Sequence, residues 1–276
     1  MDNERLLAGK NPADIEFLWQ SMFRDPRWRG GPILTSAISA IEIALWDILG
    51  QALDVPIYRL LGGAARERIV AGTPEAFLRA KEAGYTAAKS ALPSADHDLI
   101  RPNQAVRDAV RKVEALRKAV GDDFDICIDA HGRLTTPMAI DFCGSVEEFR
   151  PLFVEEATQL EDLGELALLR EKTKVPLATG ERLFTKYGFA EICSRHLVDY
   201  VQPDGGHAGG ILELKKIGAF AETYRIAMAP HNPQSAVSTL ASLHVDATTH
   251  NGTIQESTVS QEQWRNDLFD GNDIVI

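Results

Sequence analysis

Acidic and basic side chains recur at the ends of short apolar runs in this 276-residue chain. The first clear example is FDICIDAHGR (124–133), which alternates like a buried strand and then presents Asp129 and His131. From Asp129 onward a similar acid or histidine follows every 23 to 27 residues. The side chains at the ends of such runs are Lys89, Asp129, Glu155, Glu181, Asp204, His231 and Glu256. Carboxylates, an amine and imidazoles gathered in one place could bind a cation and move protons.

Three of these carboxylates, those of Asp129, Glu155 and Glu181, follow three consecutive runs. Like charges within a few ångströms of one another either raise a pKa or recruit a cation. An all-oxygen set without cysteine suits a hard divalent ion, Mg2+ before Zn2+. A single acid in this position is more often a solvated strand end or a helix cap. Three acids at equivalent positions of three consecutive repeats favour a metal site.

A further pair of side chains, Asp204 and His231, has the chemistry of a general base. His231 in MAPHNP lies one repeat beyond Asp204 in YVQPD. A carboxylate beside an imidazole fixes the tautomer of the ring and raises its basicity. The pair is not a local motif, so its formation depends on the two segments being neighbours in the fold.

Strand-like runs alternate with longer helical patterns from about residue 66 onward. The predicted strands are RIVAG (68–72), YTAAKSAL (85–92), FDICIDA (124–130), LFVEEA (152–157), VPLATGE (175–181), VDYVQPD (198–204), RIAMAPH (225–231) and TIQES (253–257). This alternation predicts an α/β fold with a parallel sheet, and eight strands are the number that closes a barrel. Barrel active sites lie at the C-terminal ends of the strands, where the recurring side chains would converge. The alternative is an open, doubly wound sheet with its site at one switch point.

The first 65 residues have a different pattern. An apolar stripe predicts a helix over residues 35–53, and the segment VPIYRLLGG follows it. No convincing strand precedes residue 66. We therefore divide the chain into a helical part, 1–65, and a β/α part, 66–276.

The composition limits the partners that the protein can have. The net charge of −11 repels nucleic acid and anionic membrane surfaces. No apolar run reaches the roughly 18 residues of a membrane span. The three cysteines lie far apart in apolar surroundings without a CxxC spacing, which is typical of reduced, buried thiols. These features predict a cytoplasmic protein that acts on a small molecule and binds neither nucleic acid nor membrane.

Several segments together resemble a known family. In chain order they are ALWDILGQALDVPIYRLLGG, GYTAAK, IDAHGR, FVEEATQLED, PLATGERL, YVQPDGGHAGGI, MAPHNP and IQES. They resemble the mandelate racemase and muconate lactonizing group of the enolase superfamily, most closely its acid-sugar dehydratases of the galactonate type. The resemblance implies a modified TIM-type (β/α)7β barrel. Residues 1–65 would then be a helical remnant of a capping domain, and 66–276 the catalytic barrel.

The resemblance also implies a role for each recurring side chain. Asp129, Glu155 and Glu181 would hold Mg2+. His231, paired with Asp204, would remove the proton α to the substrate carboxylate. His131 would protonate the departing β-hydroxyl, and Glu256 would hydrogen-bond a carboxylate oxygen of the intermediate. Lys89 would contact either the substrate carboxylate or oxygen atoms bound to the metal. The product from an aldonate or aldarate would be a 2-keto-3-deoxy acid.

Two alternatives to a dehydratase remain open at this stage. Racemases of the group carry a second basic residue two positions after the first, whereas Ala91 stands at that place after Lys89. A racemase or epimerase is therefore disfavoured. The other alternative is a catalytically silent barrel that lacks its lid. We also expect a homo-oligomer, because apolar surface on the helical segment 35–61 would otherwise be left uncovered.

Overall fold

The computed structural model describes residues 3–65, 71–72, 77–82, 84–92, 101–233 and 235–256. Part of the first predicted strand, residues 68–70, and the residues after Glu256 lie outside these ranges. Within them the chain forms a helical N-terminal segment followed by alternating strands and helices.

The N-terminal segment is helical throughout its described secondary structure. Its helices are α1 (Asn3–Leu7), α2 (Ile15–Arg24), α3 (Gly31–Leu53) and α4 (Ile57–Leu60). The longest, α3, begins four residues before the predicted start because proline in its first turn needs no N–H partner and is preset for helical φ. It ends at Asp54, which adopts the left-handed conformation and donates its N–H to Gln51.

The length of α3 corrects one expectation from the sequence. Its 23 residues are long and apolar enough to cross a membrane by length and composition, so the statement that no run reaches such a length was wrong. One face of the helix is nevertheless buried in the protein and carries polar groups: Thr35, Ser39 and Glu42 are all fully buried. Such a face is typical of a core helix. The absence of membrane binding stays a prediction.

The remaining described chain alternates strand and helix. Its strands are β1 (Ala71–Gly72), β2 (Ala87–Ala91), β3 (Asp125–Asp129), β4 (Phe153–Glu155), β5 (Leu177–Thr179), β6 (Tyr200–Val201), β7 (Ala227–Met228) and β8 (Gln255–Glu256). Its helices are α5 (Phe77–Glu82), α6 (Pro102–Val120), α7 (Thr136–Val146), α8 (Leu163–Lys172), α9 (Thr185–Ser194), α10 (Ile211–Thr223) and α11 (Ala236–Ala247). A short 3-10 helix, Glu147–Phe149, follows α7.

All pairings between these strands are parallel. Strands β2 to β7 pair in sequence order, and β1 pairs with β8. A parallel bridge from Met228 to Gly252 joins β7 to the chain just before β8. The chain therefore has the (β/α)7β order of a modified TIM-type barrel, with its first and last strands paired. The open, doubly wound alternative is set aside.

Alternation along β3 decides which side chains reach the barrel interior. Ile126 and Ile128 pack outward against the helices, whereas Cys127 packs inward with Phe153 and Ala178. Asp129 lies two residues beyond Cys127 and so continues the inward face. Asp129, Glu155 and Glu256 are the last paired residues of β3, β4 and β8, whereas Glu181, Asp204 and His231 lie beyond the ends of β5, β6 and β7, which are shorter than predicted.

The N-terminal segment is joined to the barrel through a buried carboxylate. Glu42 on α3 accepts hydrogen bonds from the backbone N–H groups of Ile211 (2.7 Å) and Leu212 (2.9 Å), and from the indole of Trp46 (2.7 Å). It thereby caps the first turn of α10, whose own N-cap, Gly210, has no side chain. Burial raises the pKa of Glu42 to about 7, although the three hydrogen bonds oppose the rise.

This raised pKa predicts a pH-dependent stability. Between the ordinary pKa of 4.5 and the folded value of about 7, the folded chain keeps a proton that the unfolded chain has released. The contribution of Glu42 is therefore full below pH 4.5 and is lost as the pH rises to 7, by about 3 kcal/mol in all. We expect chemical unfolding at pH 5 and pH 8 to show a larger loss in the wild type than in Glu42→Gln, because the losses that Glu155 and His231 contribute are common to both proteins. Parallel stability curves for the two proteins would contradict the assignment.

Candidate active site

Lys89 lies at the centre of the acidic side chains at the barrel mouth. Its Nζ is 2.7 Å from Oε1 of Glu256, 3.1 Å from Oε2 of Glu155 and 3.9 Å from Oδ2 of Asp129. Burial alone would lower the pKa of Lys89, but the three carboxylates outweigh burial and raise it above the ordinary value. Lys89 is therefore a permanent cation that joins β2, β3, β4 and β8.

The imidazole of His231 lies between carboxylates on two neighbouring strands. Nδ1 is 2.8 Å from Oδ2 of Asp204, which is fully buried, and Nε2 is 3.0 Å from Oε2 of Glu181. Nε2 is also 4.0 Å from Oε2 of Glu256. Burial would lower the pKa of His231, yet the hydrogen bonds to Asp204 and Glu181 raise it to about 10. The predicted pairing of Asp204 with His231 is thus present in the fold.

His131 stands at the rim of the site, directly after β3. Its side chain is 39% exposed, and its Nε2 is 2.9 Å from Oδ2 of Asp129. Its backbone has a φ of 51° and donates its N–H to Oδ1 of the same aspartate. The hydrogen bond to Asp129 raises the pKa of His131 and helps to lower the pKa of Asp129 against the effect of burial. The exposed imidazole could deliver a proton to a bound molecule.

One group of side chains in the described chain could hold a metal ion. It consists of Glu155, Glu181 and His231, whose ligand atoms all lie within 4.8 Å of one another. Asp129, the third predicted ligand, lies outside this group, and its carboxylate faces His131 and Lys89. Its role as a ligand stays a prediction.

The negative charge of the buried Glu155 carboxylate is only partly compensated by its neighbours, as expected of a side chain that binds a metal ion. Glu155 is fully buried, and within the described chain its Oε2 has no hydrogen bond, although Nζ of Lys89 lies 3.1 Å away and donates to Oε1. Burial raises its pKa to about 7; Lys89 opposes the rise, while Asp129 and Glu256 add to it. A divalent cation would stabilise the charged form of this side chain. The donor set therefore fits a hard cation.

A second acid in FVEEA supports the loop that carries His131. Glu156 accepts hydrogen bonds from Thr179, from the N–H of Gly180 (3.2 Å) and from Nε of Arg182 (2.7 Å). Arg182 also donates to Gln159, whose amide donates to the carbonyl of Gly132. The partners of Glu156, on β5 and in the loop that follows it, become visible only in the fold.

Sequence reasoning missed the side chains of the N-terminal segment that contact the loop after β6. Trp19, Ser36, Ser39 and Glu42 hydrogen-bond to residues of the loop or to the first turn of α10. The available signal was the presence of Ser39 and Glu42 on the otherwise apolar stripe of α3. A polar group on such a stripe must find a buried partner.

The chain matches two families in succession. Residues 4–62 match the family of mandelate racemase/muconate lactonizing enzyme N-terminal domains, and residues 74–275 match the enolase C-terminal domain-like family.

Curated relatives and solved structures agree with these matches. The D-galactonate dehydratase of Xanthomonas oryzae pv. oryzae is 42% identical over 263 residues, covering 92% of this chain and 69% of the relative. That of Ralstonia pickettii is 40% identical over 262 residues, with the same coverage. A mandelate racemase/muconate lactonizing enzyme-like protein from Rubrobacter xylanophilus superposes with a TM-score of 0.89 at 33% identity. The superposition covers 96% of this chain and 76% of that one.

The barrel, its ring of acidic strand ends and these similarities together define an enzyme of the enolase superfamily. The chain belongs to the mandelate racemase/muconate lactonizing enzyme group of that superfamily. Within the group it is a hydro-lyase, close to the galactonate dehydratases.

Proposed function

We propose that the protein is a Mg2+-dependent dehydratase of an aldonate or aldarate, with D-galactonate as the first candidate substrate. The observation that carries the proposal is the position of the His231 imidazole. Its Nδ1 is held by Asp204, and its Nε2 faces Glu181 at the barrel mouth. The names of the curated relatives support the acid-sugar substrate class.

The proposed metal ligands are Glu155 and Glu181, with Asp129 as the third. A bound Mg2+ would neutralise these carboxylates and stabilise the negative charge that develops on the substrate carboxylate. Lys89, a fixed cation beside Glu155 and Glu256, would attract the same carboxylate. In a chain of net charge −11, this lysine provides a needed attraction for an anionic substrate.

His231 would remove the proton α to the carboxylate through Nε2. Asp204 accepts a hydrogen bond from Nδ1–H of His231, which leaves Nε2 as the reactive nitrogen. Part of the high pKa of His231 comes from its hydrogen bond to Glu181, so a cation held by Glu181 would lower the pKa of the imidazole and favour its neutral, basic form. His131 would protonate the departing β-hydroxyl, and Glu256 would hydrogen-bond the intermediate. Tautomerisation of the resulting enol gives a 2-keto-3-deoxy acid.

Epimerisation would require a second base facing the opposite side of the substrate. Lys89 is followed at the end of β2 by Ser90 and Ala91, and Ala91 pairs with Asp129 across the sheet. His231 therefore supplies a base on one side of the site, whereas Ala91 has no titratable side chain that could supply a second base. This favours elimination over two-base proton exchange.

The test of this function is an assay of the purified protein with a panel of aldonic and aldaric acids. We expect one acid, D-galactonate first, to give a 2-keto-3-deoxy product in the presence of Mg2+. Chelation should stop turnover, and added Mg2+ should restore it. Exchange of the α-proton or epimer formation without water loss would indicate a racemase. Magnesium binding without any turnover would indicate a silent barrel.

Three further expectations extend this proposal. Residues 1–65 would be the helical part of a capping domain and 66–276 the catalytic barrel. The enzyme would work in the cytoplasm, in keeping with its three free, buried cysteines. A homo-oligomer stays a prediction; it would cover exposed apolar side chains of α3 such as Ile48 and Leu53.

A further inference from the structure

The loop between β6 and α10, residues 205–210, begins directly after Asp204 and fixes that side chain. Oδ1 of Asp204 accepts the N–H of Gly206 at 2.7 Å, and its carbonyl accepts the N–H groups of His207 (3.0 Å) and Ala208 (2.6 Å). Its other carboxylate oxygen binds His231. The direction of the Asp204 carboxylate therefore depends on the conformation of this loop.

The sequence of the loop, GGHAGG, gives it little rigidity of its own. Four of its six residues are glycine, which offers no side chain to pack and loses the most conformational freedom on ordering. Gly209 and Gly210 have φ of 126° and 92°. A loop of this composition keeps one conformation only when other elements hold it.

Helices α2 and α3 supply those contacts from more than 160 residues away. The indole of Trp19 donates to the carbonyl of Gly209 at 2.8 Å, and Oγ of Ser39 accepts the N–H of Gly209 at 2.9 Å. Oγ of Ser36 lies 2.7 Å from Nδ1 of His207. Both serine hydroxyls donate to the carbonyl four residues earlier in α3, which leaves their oxygens free to accept from the loop.

We propose that Ser36 and Ser39 are positioning residues for catalysis, acting on the Asp204–His231 pair through loop 205–210. The helical segment then contributes to proton abstraction as well as to covering the barrel. This inference rests on the proposed function in that it assigns His231 as the base. Both serines would act through the loop and not by contact with the substrate.

The test compares the double variant Ser36→Ala/Ser39→Ala with Thr35→Val. Thr35 is a matched control because it lies on the same helix, is fully buried, and has a hydroxyl with no hydrogen-bond partner within the described chain. We expect the double variant to lose about 10- to 100-fold in kcat with a nearly unchanged KM. The primary isotope effect of α-deuterated substrate should rise, because proton abstraction becomes slower. Thr35→Val should retain the wild-type values.

Two further measurements, hydrogen exchange and NMR, test the positioning role without any substrate turnover. Hydrogen exchange should become faster in peptides covering 204–210 and stay unchanged over β3 and α7 in the double variant. The Nδ1 proton that His231 shares with Asp204 should be observable by NMR in the wild type and in Thr35→Val, and should be lost or broadened in the double variant.

The outcomes separate this inference from the proposed function. A wild type that turns over no acid sugar counts against the function, and the NMR and exchange experiments still decide the inference. An unchanged His231 proton in the double variant would overturn the positioning role. So would an unchanged kcat and isotope effect in an active enzyme, or equal losses in Thr35→Val.

Discussion

The variant His231→Asn is expected to lose about 10³- to 10⁴-fold in kcat for dehydration while keeping its fold. Asparagine can still donate a hydrogen bond to Asp204 from its amide, so the buried carboxylate keeps a partner. An amide nitrogen cannot accept the α-proton, so the base is removed with little change in shape. The measurement is the steady-state rate of 2-keto-3-deoxy acid formation with Mg2+, together with the thermal unfolding midpoint.

The matched control is His196→Asn. His196 lies on the surface after α9, packs edge-on against Tyr224 and has a φ of 51°, a conformation that asparagine tolerates well. This variant should retain the wild-type rate. A residual rate within about 10-fold of wild type in His231→Asn would exclude the imidazole as the base. Equal losses in both variants would point to a general effect of histidine replacement.

The variant Gly210→Ala is expected to show the second large effect, a lower free energy of unfolding. Gly210 has φ 92° and ψ −168°, a region that is almost exclusive to glycine. A Cβ there would collide with Oε2 of Glu42, and that carboxylate is held by three hydrogen bonds. We expect the free energy of unfolding to fall by about 4–6 kcal/mol, from backbone strain and from lost hydrogen bonds to a buried acid.

Gly121→Ala isolates the contribution of Glu42. Gly121 ends α6 with nearly the same backbone, φ 75° and ψ −172°, and beyond its chain neighbours no described residue has an atom within 4 Å of the added Cβ. Its replacement by alanine should lower the free energy of unfolding only by the backbone strain, about 1–3 kcal/mol. Chemical denaturation of both variants gives the comparison. Equal losses would mean that the carboxylate of Glu42 moves aside freely, and the cap on α10 would then be a minor contact.

The order of strands and helices was accessible from sequence because it is encoded locally. An apolar run of five to eight residues that ends in an acid, followed by a helical pattern, was enough to place β3, β4 and β5. Strand ends such as VDYVQPD were overestimated because the run continues into the polar residues that leave the ladder. Pro203 lacks an N–H for the ladder, so only Tyr200–Val201 pair in β6. The prediction that no apolar run is long enough for a membrane span failed because α3 begins at Gly31, before the predicted start at residue 35, and reaches 23 residues.

The sequence by itself therefore determined the fold and the set of side chains at the barrel mouth. Their spacing of one β/α unit brings the strand ends together whatever the detailed packing. Only the tertiary structure decided which atoms meet. Lys89 reaches Glu256 across 167 residues of sequence, and Glu42 caps α10 from 169 residues away. Local periodicity specifies individual elements, whereas such contacts exist only when the first and last strands pair and α3 packs against the barrel, which no local pattern encodes.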